Sequence, residues 1–368
     1  MPGPVSSTIQ EVKEEFVTID LSPAVNVINS LRMLLYPDTF SGMGEWIYDT
    51  YLRLSEEKRL DNFVAVDGLY YGIRPDRIFP SFPAYIRFLE QLEPLEIRKR
   101  LLDGYATLPS CQNKKGMKGS KPDYDKITAS FENYLAFFQD CFSLEYINLD
   151  SERRSFDLLS NPPRMKEFLI SHFRYMWDTF LAKEWQRNLP LMEEARLALL
   201  QKNFSGMSKM DVVKWLFGGD YEKLKDWEPL LDSVDQLIIT PSLHRGPYKH
   251  KYIAGKKLWI VIGNELPDDL KISSSELSRS EILVRSSALS DDTRLKILKL
   301  LSETAELSSS EIMERLNLSQ SATSRHLKLL SASAYLNERR LHGAKYYSLN
   351  SEKIKSTLEA ISAFLLSE

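Results

Sequence analysis

Wound as a helix at about 100° per residue, the segment 319–332 puts Gln320, Ser321, Ser324, Arg325 and Lys328 on one side and Thr323, Leu327 and Leu330 on the other. Glutamine pairs bidentately with adenine, arginine with guanine, and serine meets either a base edge or a phosphate. The outer set therefore has the chemistry that reading a DNA major groove requires. Lys328, one turn further on, is expected to hold a phosphate. Each of these residues taken singly reads equally well as part of a solvated helix face. His326 falls at the edge of the packed side, where a structural hydrogen bond is expected ahead of a base contact.

Two short helices and a turn must position this face. Leu295, Ile297, Leu298, Leu300 and Leu301 mostly recur at spacings of three and four, behind Asp291 and Asp292, whose carboxylates suit a helix start. Ser308 to Ser310 then offer N-caps, with Glu311 and Glu314 in the first turns and Ile312, Met313 and Leu316 to bury. Asn317-Leu318 is expected to turn, and Ser319 to cap the helix that reads. Beyond it, Tyr335 to Leu341 alternates, His342-Gly343 turns the chain, and Lys345 to Leu349 returns as the second strand of a hairpin. Between 319 and 350 the bases Arg325, Lys328, Arg339, Arg340 and Lys345 face Glu338 as the only acid. A basic hairpin beside a reading helix would lie on phosphate, with Arg339, Arg340, His342 and Lys345 supplying affinity and register.

With these residues in view, the region 281–366 resembles the ArsR/SmtB family of winged helix-turn-helix transcriptional regulators. The carriers are Leu289-Ser-Asp-Asp-Thr-Arg-Leu-Lys-Ile-Leu298, Ser324-Arg-His-Leu-Lys328, and the wing from Gly343 to Leu349 ending in Tyr-Tyr-Ser-Leu. The resemblance implies a dimer whose third helices enter the major groove through Gln320, Ser321, Ser324 and Arg325. It also implies pairing through the terminal helix, which aligns Ile354, Leu358, Ile361, Phe364 and Leu365, on a near-palindromic operator with half-sites about 10 bp apart or a multiple of that. The chain departs from the pattern twice. Leu307-Ser-Ser-Ser-Glu-Ile312 and 351–368 lack the ligands of the family's metal sites, so no metal is expected there. Ser333-Ala334 stands where a small residue and glycine usually join the reading helix to the wing, and alanine would be strained in a left-handed conformation.

The chain has 368 residues, 43% of them hydrophobic, enough for two or three domains. Two cysteines, Cys111 and Cys141, cannot make a disulfide framework. With no leader-like start and no apolar run near the roughly 20 residues a span needs, a cytoplasmic location away from membrane is expected. The formal net charge is -3, and residues 281–368 hold 12 bases against 11 acids. The amino-terminal bulk is thus mildly acidic and is not expected to bind nucleic acid strongly by itself.

The expected fold is mainly α with small β-sheets: a large helical domain over 1–270 with a short antiparallel sheet, then a winged helix domain over 277–368. Helical periodicity appears near 23–35, 42–56, 57–70, 81–91, 93–106, 124–142, 162–186, 189–203 and 208–217. Period-two segments lie at 15–19, 236–240, 250–254 and 258–262, the last two joined at Gly255-Lys256, and the first is a candidate to join that sheet. Residues 264–276 read as a linker. The aromatic residues from Trp46 to Phe88 and from Phe131 to Trp185 fill a helical core or line an apolar pocket for a small-molecule effector; no residue is assigned to such a pocket. The Lys114–Lys121 run is a basic loop without phosphate-loop spacing. His244 and His250 lack partners for a metal site. No nucleophile triad, dinucleotide fingerprint or zinc-protease pattern is present, so no enzyme and no cofactor are expected. Three functions compete: a sequence-specific double-stranded DNA-binding transcription regulator, expected to be a dimeric repressor; a helical scaffold whose winged helix contacts protein; and an enzyme with an appended DNA-binding tail, which only convergent polar groups in a pocket would raise.

Overall fold

The computed structural model describes residues 16–35, 37, 45–106, 123–142, 148–217, 224, 227–246, 248–263, 266–267, 270, 279–341 and 344–366. The Lys114–Lys121 run, Cys111, His342 and most of the expected linker lie outside these residues, as does the Cys141 side chain.

The period-two segments form one sheet in the order β1, β2, β4, β3, made of β1 (Val17–Ile19), β2 (Gln236–Pro241), β3 (His250–Ala254) and β4 (Lys257–Ile262). The expectation of an antiparallel sheet needs correction. Only β3 and β4 are antiparallel, whereas β2 runs parallel to both β1 and β4. The reason is connectivity: the long helical excursion between Ile19 and Gln236 returns the chain to the sheet in the same direction, as a parallel crossover allows. Gly255 takes φ 60 in the tight β3–β4 turn, a left-handed value glycine adopts without a Cβ penalty. Both sheet faces are covered. Leu237, Ile239, Leu258, Ile260 and Ile262 pack with Val212, Val213 and Leu231 on one side, while Ile238, Trp259 and Val261 pack with Val25 on the other.

The largest core is helical and spans Ala24 to Leu181. Tyr70, Phe79, Phe82 and Tyr85 are buried in it, with Trp46, Tyr48, Tyr51, Tyr71 and Phe88 packed against its edge. Most of the aromatic run thus fills a core. The expected break between 186 and 189 is absent: helix Pro162–Met176 continues through a π-helical turn, Trp177–Leu181, into Ala182–Leu200 with Pro190 inside it. Pro190 removes one backbone donor but the flanking turns hold. The expected 124–142 helix is two, Tyr124–Thr128 and Phe131–Cys141, the second opened by Ser130, which accepts from the Asn133 N–H. Helix Leu149–Leu159 was not expected. Its packed residues include Ser151, Glu152 and Ser155, so its buried stripe is too polar for hydrophobic periodicity to show.

The carboxy-terminal elements follow the expected order. Helices Arg279–Leu289, Asp292–Ser302, Ser309–Arg315 and Gln320–Ala332 precede a hairpin of β6 (Leu336–Leu341) and β7 (Ala344–Leu349), and helix Ser351–Leu366 ends the fold. A strand the pattern did not indicate, β5 (Leu307–Ser308), adds to β7 and makes the wing a three-stranded sheet in the order β5, β7, β6. This region has its own core of Ala288, Ile297, Leu298, Leu301, Ile312, Leu327, Leu329, Leu330, Tyr335 and Tyr347. Tyr248, from the stretch between β2 and β3, is buried in that core as well. No helix among the described residues is long and apolar enough to cross a membrane.

Candidate nucleic-acid interface

The reading helix, Gln320–Ala332, is placed by two matched C-terminal turns. At the end of Ser309–Arg315, Asn317 takes φ 49; its N–H donates to Glu314 O (3.2 Å) and that of Leu318 donates to Met313 O (3.0 Å). At the end of the reading helix, Ala334 takes φ 59, with Ala334 N–H to Ser331 O at 3.0 Å and Tyr335 N–H to Leu330 O at 2.9 Å. Both are Schellman motifs, in which a left-handed residue lets the last carbonyls find donors. Asparagine tolerates that conformation; alanine occupies it at a cost. The left-handed connection to the wing is thus kept without its glycine.

Capping follows the expected residues. Asp291 accepts from the Arg294 N–H (2.9 Å), Ser308 and Glu311 form a reciprocal capping box, and Ser319 accepts from the Ala322 N–H (3.2 Å). Arg294 is buried: its guanidinium donates to the carbonyls of Ala288 (2.6 Å) and Ser287 (2.8 Å), which ties two helices together. Burial lowers its pKa, with a smaller push from the Arg325 charge, against the pull of Asp291, Tyr248 and Tyr48.

On the reading helix Thr323, His326, Leu327, Leu329 and Leu330 are buried, whereas Gln320, Ser321, Ser324, Arg325 and Lys328 are exposed. Ser321 Oγ lies 3.2 Å from Ser319 Oγ, at the helix start. His326 is on the packed side, but its Nδ1 makes no hydrogen bond and sits 3.7 Å from Asp291 Oδ1. Burial lowers its pKa and Asp291 opposes. The ring packs beside Asp291, and Nδ1 does not supply the expected hydrogen bond.

Lys328, exposed like the other outer residues, also reaches toward Tyr248. Its Nζ lies 5.6 Å from the centre of the Tyr248 ring, and burial, then the Arg245 charge, lowers its pKa. The lysine thus faces the amino-terminal part of the chain. The wing is also less cationic than the local count suggests. Arg339 donates through Nε to Glu306 Oε2 (2.5 Å) and through a terminal nitrogen to Glu306 Oε1, and Lys345 Nζ is 3.1 Å from Glu338 Oε2. Glu306 lies 13 residues before Ser319, and the pairing of β5 with β7 brings it near the wing. These ion pairs are on the surface, where such pairs contribute about 0–1 kcal/mol, so a phosphate can displace the carboxylates. Arg340 is opposite Lys345 in the hairpin register; its side chain, like His342, lies outside the described residues.

Sequence reasoning missed two residues of this region. Glu306 precedes a two-residue strand with no visible pattern, and Tyr248 is 72 positions before Gln320, with no local signal of where it packs. Among the described residues no group of three His, Cys, Asp or Glu converges on a point where a metal ion could be held.

Comparison with known proteins places this region. The family model described as "Bacterial regulatory protein, arsR family" matches residues 291–336, from the Asp291 cap to the start of β6. The transcriptional activator HlyU of Vibrio cholerae is 33% identical over 92 residues, 25% of this chain and 84% of that protein. The transcriptional repressor SdpR of Bacillus subtilis is 32% identical over 78 residues, 21% of this chain and 86% of that protein. Capped helices, a left-handed exit into a β-wing and an outward polar face agree with these matches, and through its carboxy-terminal domain the chain belongs to the ArsR family of bacterial regulatory proteins.

Proposed function

We propose that the protein is a sequence-specific double-stranded DNA-binding transcriptional regulator, cytoplasmic and homodimeric, that acts as a repressor and performs no catalysis. The observation that carries the reading is the exposed set Gln320, Ser321, Ser324 and Arg325 at the opening of a helix braced from behind by Leu327, Leu329 and Leu330. Arg339, Arg340, His342 and Lys345 would hold the backbone beside it, and Lys328 would do so once it leaves Tyr248. The final helix supports dimerisation: Leu358, Phe364, Leu365 and Leu366 are 55%, 42%, 69% and 77% exposed, an apolar end that a second copy would cover. Ile354, expected on that face, packs into its own core instead.

Residues 1–270 form, in this reading, a helical effector-sensing or dimerisation domain attached to a reading domain over 277–368. HlyU is named an activator and SdpR a repressor. Repression is proposed here because two such bulky domains on an operator would occlude a promoter. The segments that correspond to the family's metal sites keep no ligand set, so no metal is assigned to them.

DNA upstream of the protein's own gene is expected to show site-preferring binding that weakens steeply with salt. Arg325→Ala should lower specific affinity by about 1–3 kcal/mol, roughly 5- to 150-fold, and relax base preference at one position. Absence of site-preferring binding together with an unaltered Arg325→Ala variant overturns the reading. The ion pairs of Arg339 and Lys345 favour the alternative, a helical scaffold whose winged helix contacts protein, and that alternative predicts negligible DNA binding under the same conditions.

A further inference from the structure

A groove of about 420 Å³ opens between the Tyr70–Ile73 and Pro94–Ala106 helices, the loop between Ile73 and Phe82, and the β3–β4 turn. Its size is within the roughly 300–1,000 Å³ of small-molecule sites. Arg74, Arg77, Arg100 and Asp76 cluster on its lining. Asp76 is shared: Arg77 Nε is 3.0 Å from one of its oxygens and a terminal nitrogen of Arg100 is 3.3 Å from the other. Arg74 makes no ion pair with a described carboxylate. Its guanidinium instead lies 5.1 Å from the centre of the Tyr71 ring and 5.4 Å from that of Tyr252, held half-buried between two aromatic faces. Three guanidinium groups thus line the groove near one carboxylate, Asp76, which pairs with two of them. On the helix that carries Arg100, Lys99 is 2.8 Å from Asp103, and Glu96 adds an acid to the lining. Phe88, Leu92 and Ala254 also line the groove, the Phe88 ring centre lying 4.8 Å from the Arg77 guanidinium and 5.9 Å from that of Arg100.

We infer that this groove binds a small organic carboxylate with a compact apolar body, its carboxylate on Arg74 and its body against Phe88 and Leu92. A planar guanidinium already held by flanking rings is suited to bidentate carboxylate recognition, since little side-chain freedom is lost on binding. Occupancy would be felt at the reading helix. Arg74 stacks on Tyr252 of β3, whose hydroxyl donates to Pro75 O (3.2 Å), and two residues before β3 begins Tyr248 enters the carboxy-terminal core beneath Lys328. This step rests on the proposed effector role of residues 1–270.

Calorimetric titration of the full chain with benzoate, without DNA, tests the site. Benzamide, the neutral isostere, is the control for ring binding alone, and Arg74→Gln and Arg74→Lys are the variants, each checked for an unchanged circular dichroism melt. Saturable benzoate binding is expected, with little for benzamide, at least ~10-fold weakening in Arg74→Gln and partial retention in Arg74→Lys. No saturable benzoate binding, equal binding of benzamide, or full affinity in a folded Arg74→Gln overturns the inference. Because the readout needs no DNA, its failure leaves the DNA-binding reading standing, and loss of site-preferring DNA binding leaves the groove standing.

Discussion

At the scale of single residues, the exit from the reading helix carries a stored cost. Ala334 has φ 59, a value reached at a penalty of about 1 kcal/mol by a residue with a Cβ, yet both Schellman hydrogen bonds are in place. Ala334→Gly removes the clash but adds unfolded-state freedom, and the two effects oppose. Relief of left-handed strain is the larger, so the variant should gain about 0.5–1 kcal/mol in urea unfolding, with DNA affinity little altered because the backbone path is already that of glycine. A loss of stability would show that the strain is relieved elsewhere. This site was legible in the sequence, since a missing glycine at a defined connection poses one question and a dihedral angle answers it. The ion pair of Arg339 with Glu306 was not legible, because a strand of two residues has no periodicity to read.

At the scale of elements, legibility tracked how apolar the buried face is. Helices with leucine or aromatic stripes, such as Phe82–Gln91 and Asp292–Ser302, stand out by spacing, and their serine or aspartate caps mark the starts. Leu149–Leu159 did not, because Ser155 packs where Gly68 leaves no room for more and Glu152 accepts the Tyr134 hydroxyl (2.7 Å). The sheet was legible as strands but not as topology, since pairing of Val17 with Leu237 depends on the whole helical excursion between them. Least legible was the segment from Leu243 to Tyr248. Arg245 is buried there, donates to Asn29 Oδ1 (3.2 Å) and braces the Tyr248 carbonyl (3.4 Å), so the amino-terminal half grips the residue that enters the other core. Tyr248→Ala should therefore cost about 3 kcal/mol, as expected for truncating a buried aromatic. Tyr248→Phe, which keeps the ring under Lys328, should cost well under half of that. Equal losses in urea unfolding would mean that the hydroxyl, not the ring, joins the two halves.

At the scale of the whole molecule, buried groups of the amino-terminal part set the response to acid. Burial brings the His172 pKa down to about 4, and burial with the Arg245, Arg32 and Arg74 charges brings that of His250 down to about 3. Both lie below the ordinary histidine value of roughly 6.5, so unfolding takes up protons, and their contribution is full above that pH and lost as pH falls toward the folded values. Glu184 adds to the loss below about pH 4.5. Its burial alone would raise the pKa, but hydrogen bonds with His244 (3.1 Å), Arg187 (2.7 Å) and Asn188 (2.6 Å) outweigh that and hold it at about 2. Glu152 acts the other way. Burial raises it to about 7 although the Tyr134 hydroxyl opposes, so the folded state keeps a proton that the unfolded chain loses, and its contribution grows as pH falls from 7 toward the ordinary glutamate value. Asp67, also raised by burial, shares that sign. Glu152→Gln keeps an acceptor for Tyr134 and deletes the opposing titration. Its stability should therefore fall more steeply than that of the native chain between about pH 6.5 and 4.5, by up to about 1.4 kcal/mol per pH unit for one proton. Urea unfolding midpoints across that range decide the matter: parallel curves for the two proteins would mean that Glu152 titrates in the folded state as it does in water.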